Sequence, residues 1–167
     1  MNKVVHSRKS DNYSTPSTFF GVLDDAFLFG LDPAASPLNA KCAKYFTEED
    51  NGLGQSWEGY GPVFCNPPYS RVKYWAAKAW HESRKGVTVV MLLAARTDTK
   101  AFHDFIYEKR SVWIWFVRGR LKFGGEKNSA PFPSMVVVFE GNDINAKSKL
   151  DRAMYAWEKM KGVKNAK

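Results

Sequence analysis

The sequence predicts an α/β protein built on a mostly parallel central sheet that ends in an antiparallel strand pair. Three observations carry that expectation. Short apolar runs of strand length alternate along the chain with stretches whose apolar residues recur at helical spacing. The last two strand-like runs, Val112 to Val117 and Met135 to Phe139, flank one glycine-containing loop, which suits an antiparallel pairing. At 167 residues the chain has room for one domain with a real core and is too short for two.

The elements follow in order. Residues 1–14 are polar and aperiodic and read as a flexible arm. Thr15-Pro16-Ser17-Thr18 suits a helix entry, with a hydroxyl for the cap and Pro16 at the first helical position; Phe19, Phe20, Leu23 and Phe27 follow at helical spacing. Phe27 to Leu31 is a short apolar run that predicts a buried strand ending at Asp32, broken by Pro33 and Pro37. Asn39 to Lys44 suggests a helical stretch and Lys44 to Thr47 a second short strand, before a loop over 50–61 that holds four glycines. Pro62 to Cys65 reads as a buried strand running into Asn66-Pro67-Pro68-Tyr69. Val72, Trp75, Ala76, Ala79 and Trp80 then mark one face of a long helix, with Gly86 where a C-terminal cap belongs.

Val87 to Leu93 is continuously apolar, as a central strand would be. Thr99 to Glu108 carries Phe102, Phe105 and Ile106 as a helical stripe. A last helix over 145–161 places Leu150, Ala153, Met154 and Trp157 on one face before Gly162 stops it. Residues 15–141 thus form the body of the domain, and 142–167 a basic helix packed on it.

Charge is unevenly placed. Residues 1–69 hold 5 basic and 8 acidic side chains, net −3, whereas 70–167 hold 20 and 9, net +11. A basic half in a chain with six Trp and seven Tyr suits a polyanion, whose phosphates meet Lys and Arg and whose bases stack on rings. No apolar run reaches membrane-spanning length, so no membrane partner is expected. Two cysteines make no disulfide framework, and the first residues lack an apolar core of signal-peptide length, which together suggest a cytosolic protein. His6, His81 and His103 show no ligand spacing, so no metal site is expected.

The chemistry is carried by Asn66-Pro67-Pro68-Tyr69. Two prolines take the backbone out of the preceding strand in a stiff extended form. The Asn66 side-chain oxygen and the Pro67 carbonyl can then accept from one NH₂ group while Tyr69 offers its ring to a planar base. That set suits methyl transfer to an exocyclic amine. Its lone pair is delocalised into the ring, and accepting both N–H bonds draws the nitrogen toward a nucleophilic form. Positioning and charge complementarity then replace a strong general base. Leu31-Asp32-Pro33-Ala34-Ala35-Ser36 puts small residues after a buried strand, where a backbone approaches a cofactor closely and Asp32 can hold an ammonium group. Glu48, Glu49 and Asp50 follow the second short strand, where an acid can take ribose hydroxyls.

The order Thr15-Pro16, Leu31-Asp32-Pro33-Ala34-Ala35, Asn39-Ala40-Lys41, Tyr45-Phe46-Thr47, Asn51-Gly52-Leu53, Trp57 and Asn66-Pro67-Pro68-Tyr69 resembles phage-type adenine-specific DNA methyltransferases of the Dam class. The likeness continues through Trp75, Lys78-Ala79, the run from Leu92 to Thr99, Gly119-Arg120-Leu121-Lys122-Phe123 and Phe132-Pro133-Ser134, covering about residues 13–140. The resemblance implies a Rossmann-like fold that uses S-adenosyl-L-methionine to methylate the N6 amine of adenine in DNA. It implies catalytic roles for Asn66, Pro67, Pro68 and Tyr69, with the target base flipped onto Tyr69. Cofactor roles fall to Thr15, Pro16, Asp32, Pro33, Ala34 and Asp50. Arg96, Arg118, Arg120 and Lys122 are the candidates for DNA contacts. The resemblance also implies a phage or prophage protein in the host cytoplasm. With no separate recognition domain, specificity would come from the loops, the terminal helix or a second subunit in a homodimer. An RNA or a protein glutamine is the alternative substrate. A DNA-binding module without catalysis is the other reading, favoured by the absence of the glycines usual after such an Asp-Pro.

Overall fold

The computed structural model describes residues 13–124, 127 and 129–162. Four strands, β1 (Val63–Cys65), β2 (Val89–Ala94), β3 (Val112–Phe116) and β4 (Ser134–Phe139), form one sheet in the order β1-β2-β4-β3. The helices are α1 (Ser17–Phe27), α2 (Val72–Arg84), α3 (Lys100–Phe105) and α4 (Ala146–Met160). β1 pairs parallel with β2, while β4 pairs antiparallel with both β2 and β3. The sheet is therefore mixed, which corrects the expectation of a mostly parallel sheet. The described residues of the 117–133 loop hold no crossover helix, and β4 runs back against β3. The antiparallel pair is present, but β4 lies between β2 and β3 and not at the edge.

β2 and β4 are buried along their whole length, the consequence of helices on both faces of the sheet. Alternation along each strand divides the core in two. Val90, Leu92, Val136 and Val138 pack with Phe19 and Leu23 of α1 and Leu150 and Trp157 of α4. Val89, Met91, Leu93 and Val137 pack with Trp75 and Ala79 of α2 and Phe102 of α3. The Phe19 ring meets Trp157 edge-on at 4.9 Å, joining α1 to α4. Among the described residues no helix is long and apolar enough to cross a membrane.

α2 and α4 stop where their glycines require: Gly86 has φ +103° and Gly162 φ +72°, the left-handed region that terminates a helix. The first strand differs from expectation. Phe27 is still in α1, Leu28 turns left-handed (φ 58°), and only Leu31 and Asp32 bridge the sheet, to Val63 and Tyr45. A short apolar run does not distinguish a buried helix end from a strand. The helix expected over 39–44 is absent: the chain makes a turn there, with Asn39 and Ala40 N–H both donating to the Ser36 carbonyl, at 3.2 and 3.0 Å, and side chains hold the flanks. Asp32 accepts Lys41 N–H at 3.0 Å and Asn39 accepts Ser36 N–H at 2.7 Å. The arm over 1–14 lies outside the described residues except for Tyr13 and Ser14. Ser14 carbonyl accepts Gly124 N–H at 2.9 Å, which fixes these two residues against the β3–β4 loop.

Candidate active site

β1 delivers Asn66 to the carboxyl edge of the sheet. Its Nδ2 donates to the Tyr13 carbonyl and, at 2.9 Å, to Thr15 Oγ1. A carbonyl can only accept, so this pair of bonds fixes which end of the amide is nitrogen. Asn66 Oδ1 is consequently left buried without a hydrogen-bond partner. A buried, unpartnered acceptor is costly unless a ligand satisfies it. Thr15, expected as a helix cap, holds Asn66 instead. α1 begins at Ser17 behind Pro16, with no side-chain cap.

Tyr69 opens a short 3₁₀ turn (Tyr69–Arg71) that leads into α2. The Tyr13 ring is stacked on it at 5.4 Å and 24°, and Phe132 meets it edge-on at 5.1 Å. Phe123 and Phe132 also meet Tyr13 edge-on, at 5.4 and 5.1 Å. Burial, with Tyr13 beside it, pushes the Tyr69 phenol well above its usual range, and its hydroxyl has no hydrogen-bond partner among the described residues. Sequence reasoning gave no role to Tyr13, Phe123 and Phe132. A signal for Phe123 existed: buried Leu121 and Phe123 alternate with exposed Arg120 and Lys122, the pattern of a half-buried extended segment. Tyr13 sits in a polar stretch and gave none.

One space opens beside Asn66, and a second adjoins it through Ala34 and Asn39. A small polar recess of about 20 Å³ brings Asp32, Lys41, Thr15 and Asn66 together. The Asp32 carboxylate accepts Lys41 N–H at 3.0 Å and Ala34 N–H at 3.4 Å. Burial raises its pKa from 3.8 to about 6, and those two amides with the Lys41 charge only partly oppose the rise. A larger cavity of about 610 Å³ is lined by the Pro33–Pro37 stretch, Glu48, Glu49, Leu53, Pro68 and Trp75. Gly52 closes one wall: a Cβ there would stand 2.0 Å from the Pro33 carbonyl oxygen. The cavity size suits a nucleoside-sized ligand. Asp50 is turned elsewhere, its carboxylate accepting the amide and hydroxyl of Thr47 at 2.9 Å each, which holds its pKa below the usual value. Pro16 lines neither space.

The cationic candidates are on the surface. Arg118, Arg120 and Lys122 are exposed along the β3–β4 loop, where Leu121 carbonyl accepts Ala130 N–H at 2.8 Å and Arg120 reaches the Ala130 carbonyl at 3.4 Å. Arg96 is exposed just beyond β2. The structure thus gathers Thr15, Asp32, Ala34 and Asn66 around one recess, with Pro33 and Pro68 on the adjoining cavity.

The model of the DNA N-6-adenine-methyltransferase (Dam) family matches residues 3–154. A DNA N-6-adenine-methyltransferase of Haemophilus phage HP1 is 31% identical over 147 residues, covering 81% of this chain and 83% of its own. One of Escherichia phage T1 is 34% identical over 95 residues, 56% of this chain and 40% of the relative.

Proposed function

We infer the reaction from one premise: this chain belongs to the DNA N-6-adenine-methyltransferase (Dam) family. We propose that it transfers a methyl group from S-adenosyl-L-methionine to the N6 amine of an adenine flipped out of DNA, with Asn66, Pro67, Pro68 and Tyr69 holding the base. The observation that carries the reading is Asn66 Oδ1, a buried acceptor without a partner at the exit of β1, beside an aromatic seat. The mixed sheet with helices on both faces is read as the core of a Rossmann-like methyltransferase fold, its ligands at the carboxyl edge. The phage relatives support action in a bacterial host's cytoplasm.

The residues fit the methyl donor. Pro33, Leu53 and Trp75 give apolar walls for an adenine ring, Glu48 or Glu49 accepts ribose hydroxyls in place of Asp50, and Asp32 faces an ammonium group in the recess it shares with Thr15. Bound there, S-adenosyl-L-methionine supplies a methyl group made electrophilic by its sulfonium. Asn66 Oδ1 and the Pro67 carbonyl accept the two N6–H bonds, localising the lone pair on nitrogen and stabilising the positive charge that develops on methylation. Tyr69 supports the base by its face. Its phenol is neutral and takes no proton; the S–CH₃ bond breaks as the N–CH₃ bond forms, the donor leaving as its thioether, and the N6 proton, acidic once the nitrogen is alkylated, passes to solvent.

Tyr13 already covers that face at 5.4 Å, too close for a base to slide between the two rings. The target base therefore replaces Tyr13 on Tyr69. Arg96, Arg118, Arg120 and Lys122 are assigned to DNA contacts. Transfer of labelled methyl to unmethylated duplex DNA, followed by digestion to nucleosides, is expected to give labelled N6-methyladenine. Label only in RNA or protein, offered in parallel, would replace the DNA substrate, and no label anywhere would favour a DNA-binding module.

A further inference from the structure

We propose that a separate cavity on the α3 side of Tyr69 binds the nucleotide next to the target adenine, its base against an apolar floor and its phosphate on a cationic rim. The proposal rests on the reading of the chain as a DNA methyltransferase. The cavity measures about 260 Å³ and has Tyr69 itself as one wall. Its floor is made by Phe102, Ile106 and Met135, all buried and none carrying a hydrogen-bonding side-chain group. Lys73 of α2, Arg96 after β2 and Lys100 of α3 line it and are exposed. No carboxylate lines it, and Asp98 of the same turn lies outside the lining.

This combination suits one piece of a polyanion. A flipped nucleotide remains tied through its phosphates to both neighbours, so the strand holding the base on Tyr69 passes within one nucleotide of this cavity. Three cations that form no ion pair among the described residues match the phosphodiester, and a floor without donors or acceptors receives a base by its face. The rim is built on a fixed turn. Ala95 N–H donates to the Pro133 carbonyl at 2.8 Å, and the Thr99 hydroxyl donates to the Arg96 carbonyl at 3.0 Å while accepting from Phe102 N–H at 3.3 Å. Arg96 and Lys100 are thereby presented from a pinned backbone. Because the floor reads size and not base edges, the pocket gives a graded preference for the neighbouring base and no strict code.

The test uses methylation of unmethylated plasmid DNA by the full chain. Lys73→Gln with Lys100→Gln is expected to raise the DNA KM about tenfold and to lower the slope of log KM against log salt by roughly two. The dissociation constant for S-adenosyl-L-methionine should stay in place. Ala101→Leu, which narrows the cavity from α3, is expected to shift the base composition beside methylated adenines, read by sequencing the product, with the salt slope unchanged. Unchanged cofactor binding certifies that each variant is folded. A salt slope unmoved by the double variant, or a neighbouring-base composition unmoved by Ala101→Leu, overturns the proposal. A wild-type protein that methylates no DNA adenine overturns instead the reading on which the proposal rests.

Discussion

Asn66 holds two roles on two atoms. Its nitrogen ties down the Tyr13–Thr15 segment, and its oxygen, unpartnered among the described residues, is the atom proposed to meet the substrate. That coupling makes Tyr13 the residue most exposed to test. Replacing its ring removes the stack that the target base must displace, an interaction worth about 0.5–1.5 kcal/mol. Tyr13→Ala is therefore expected to lower the DNA KM by about two- to tenfold, whereas Tyr69→Ala raises it; steady-state kinetics on unmethylated duplex DNA compares the two. Asp32 gives a pH signature. Its folded pKa of about 6 lies above the ordinary 3.8, so the folded chain holds this proton more tightly than the unfolded one. Its contribution to stability is fullest below about pH 4 and is lost as pH rises through about 6. Cofactor binding has the opposite slope, since an ammonium group needs the carboxylate charged. Calorimetric titration is expected to show affinity falling below about pH 6, by up to tenfold per pH unit, and Asp32→Asn should flatten that limb.

At the scale of elements, most apolar patterns were legible, including the short run that became β1, and those around Leu31 and Tyr45 were not. The stripe from Val72 to Trp80 outlasts one turn, so its period is unambiguous, and the continuous apolar runs that became β2 and β4 have strand length between Gly86, Pro133 and Gly141 as breakers. The strands expected around Leu31 and Tyr45 shrink to single bridges, because Asp32 pairs its backbone with Lys44 and Phe46 while its carboxylate serves the following turn. The extended exit of the backbone into Pro68 was legible because two prolines set it locally. The wall of the large cavity was not, because it depends on contacts distant in sequence. Glu82, which reads as an ordinary helix-surface acid, is 1% exposed and accepts Trp57 N–H at 3.2 Å, Lys78 at 2.7 Å and Lys85 at 3.1 Å. Trp57 in turn donates its indole N–H to the Gly52 carbonyl at 2.9 Å, and Gly52 abuts Pro33. Glu82→Ala leaves the buried Trp57 N–H unpaired and frees this loop. It is expected to cost about 1–3 kcal/mol in denaturant unfolding and to weaken cofactor binding more than DNA binding.

Across the whole molecule, the division of charge read from the sequence meets a division of labour. The acidic half supplies Asp32, Glu48 and Glu49 to the two spaces assigned to the methyl donor. The basic half supplies the exposed cations at 96, 118, 120 and 122 and the aromatic residues Phe123 and Phe132 that surround Tyr13. β1 and the tetrapeptide stand between them, at the carboxyl edge of a sheet whose helices cover both faces. The central claim is that the freed oxygen of Asn66 acts on the substrate amine and not on the donor. The most direct test compares Asn66→Ala with the wild type in single-turnover methylation of duplex DNA and in S-adenosyl-L-methionine binding. The account expects the methylation rate to fall by about 10²–10³ with the cofactor dissociation constant within a few-fold of wild type. A rate that survives the substitution, or a loss in cofactor affinity equal to the loss in rate, would contradict it.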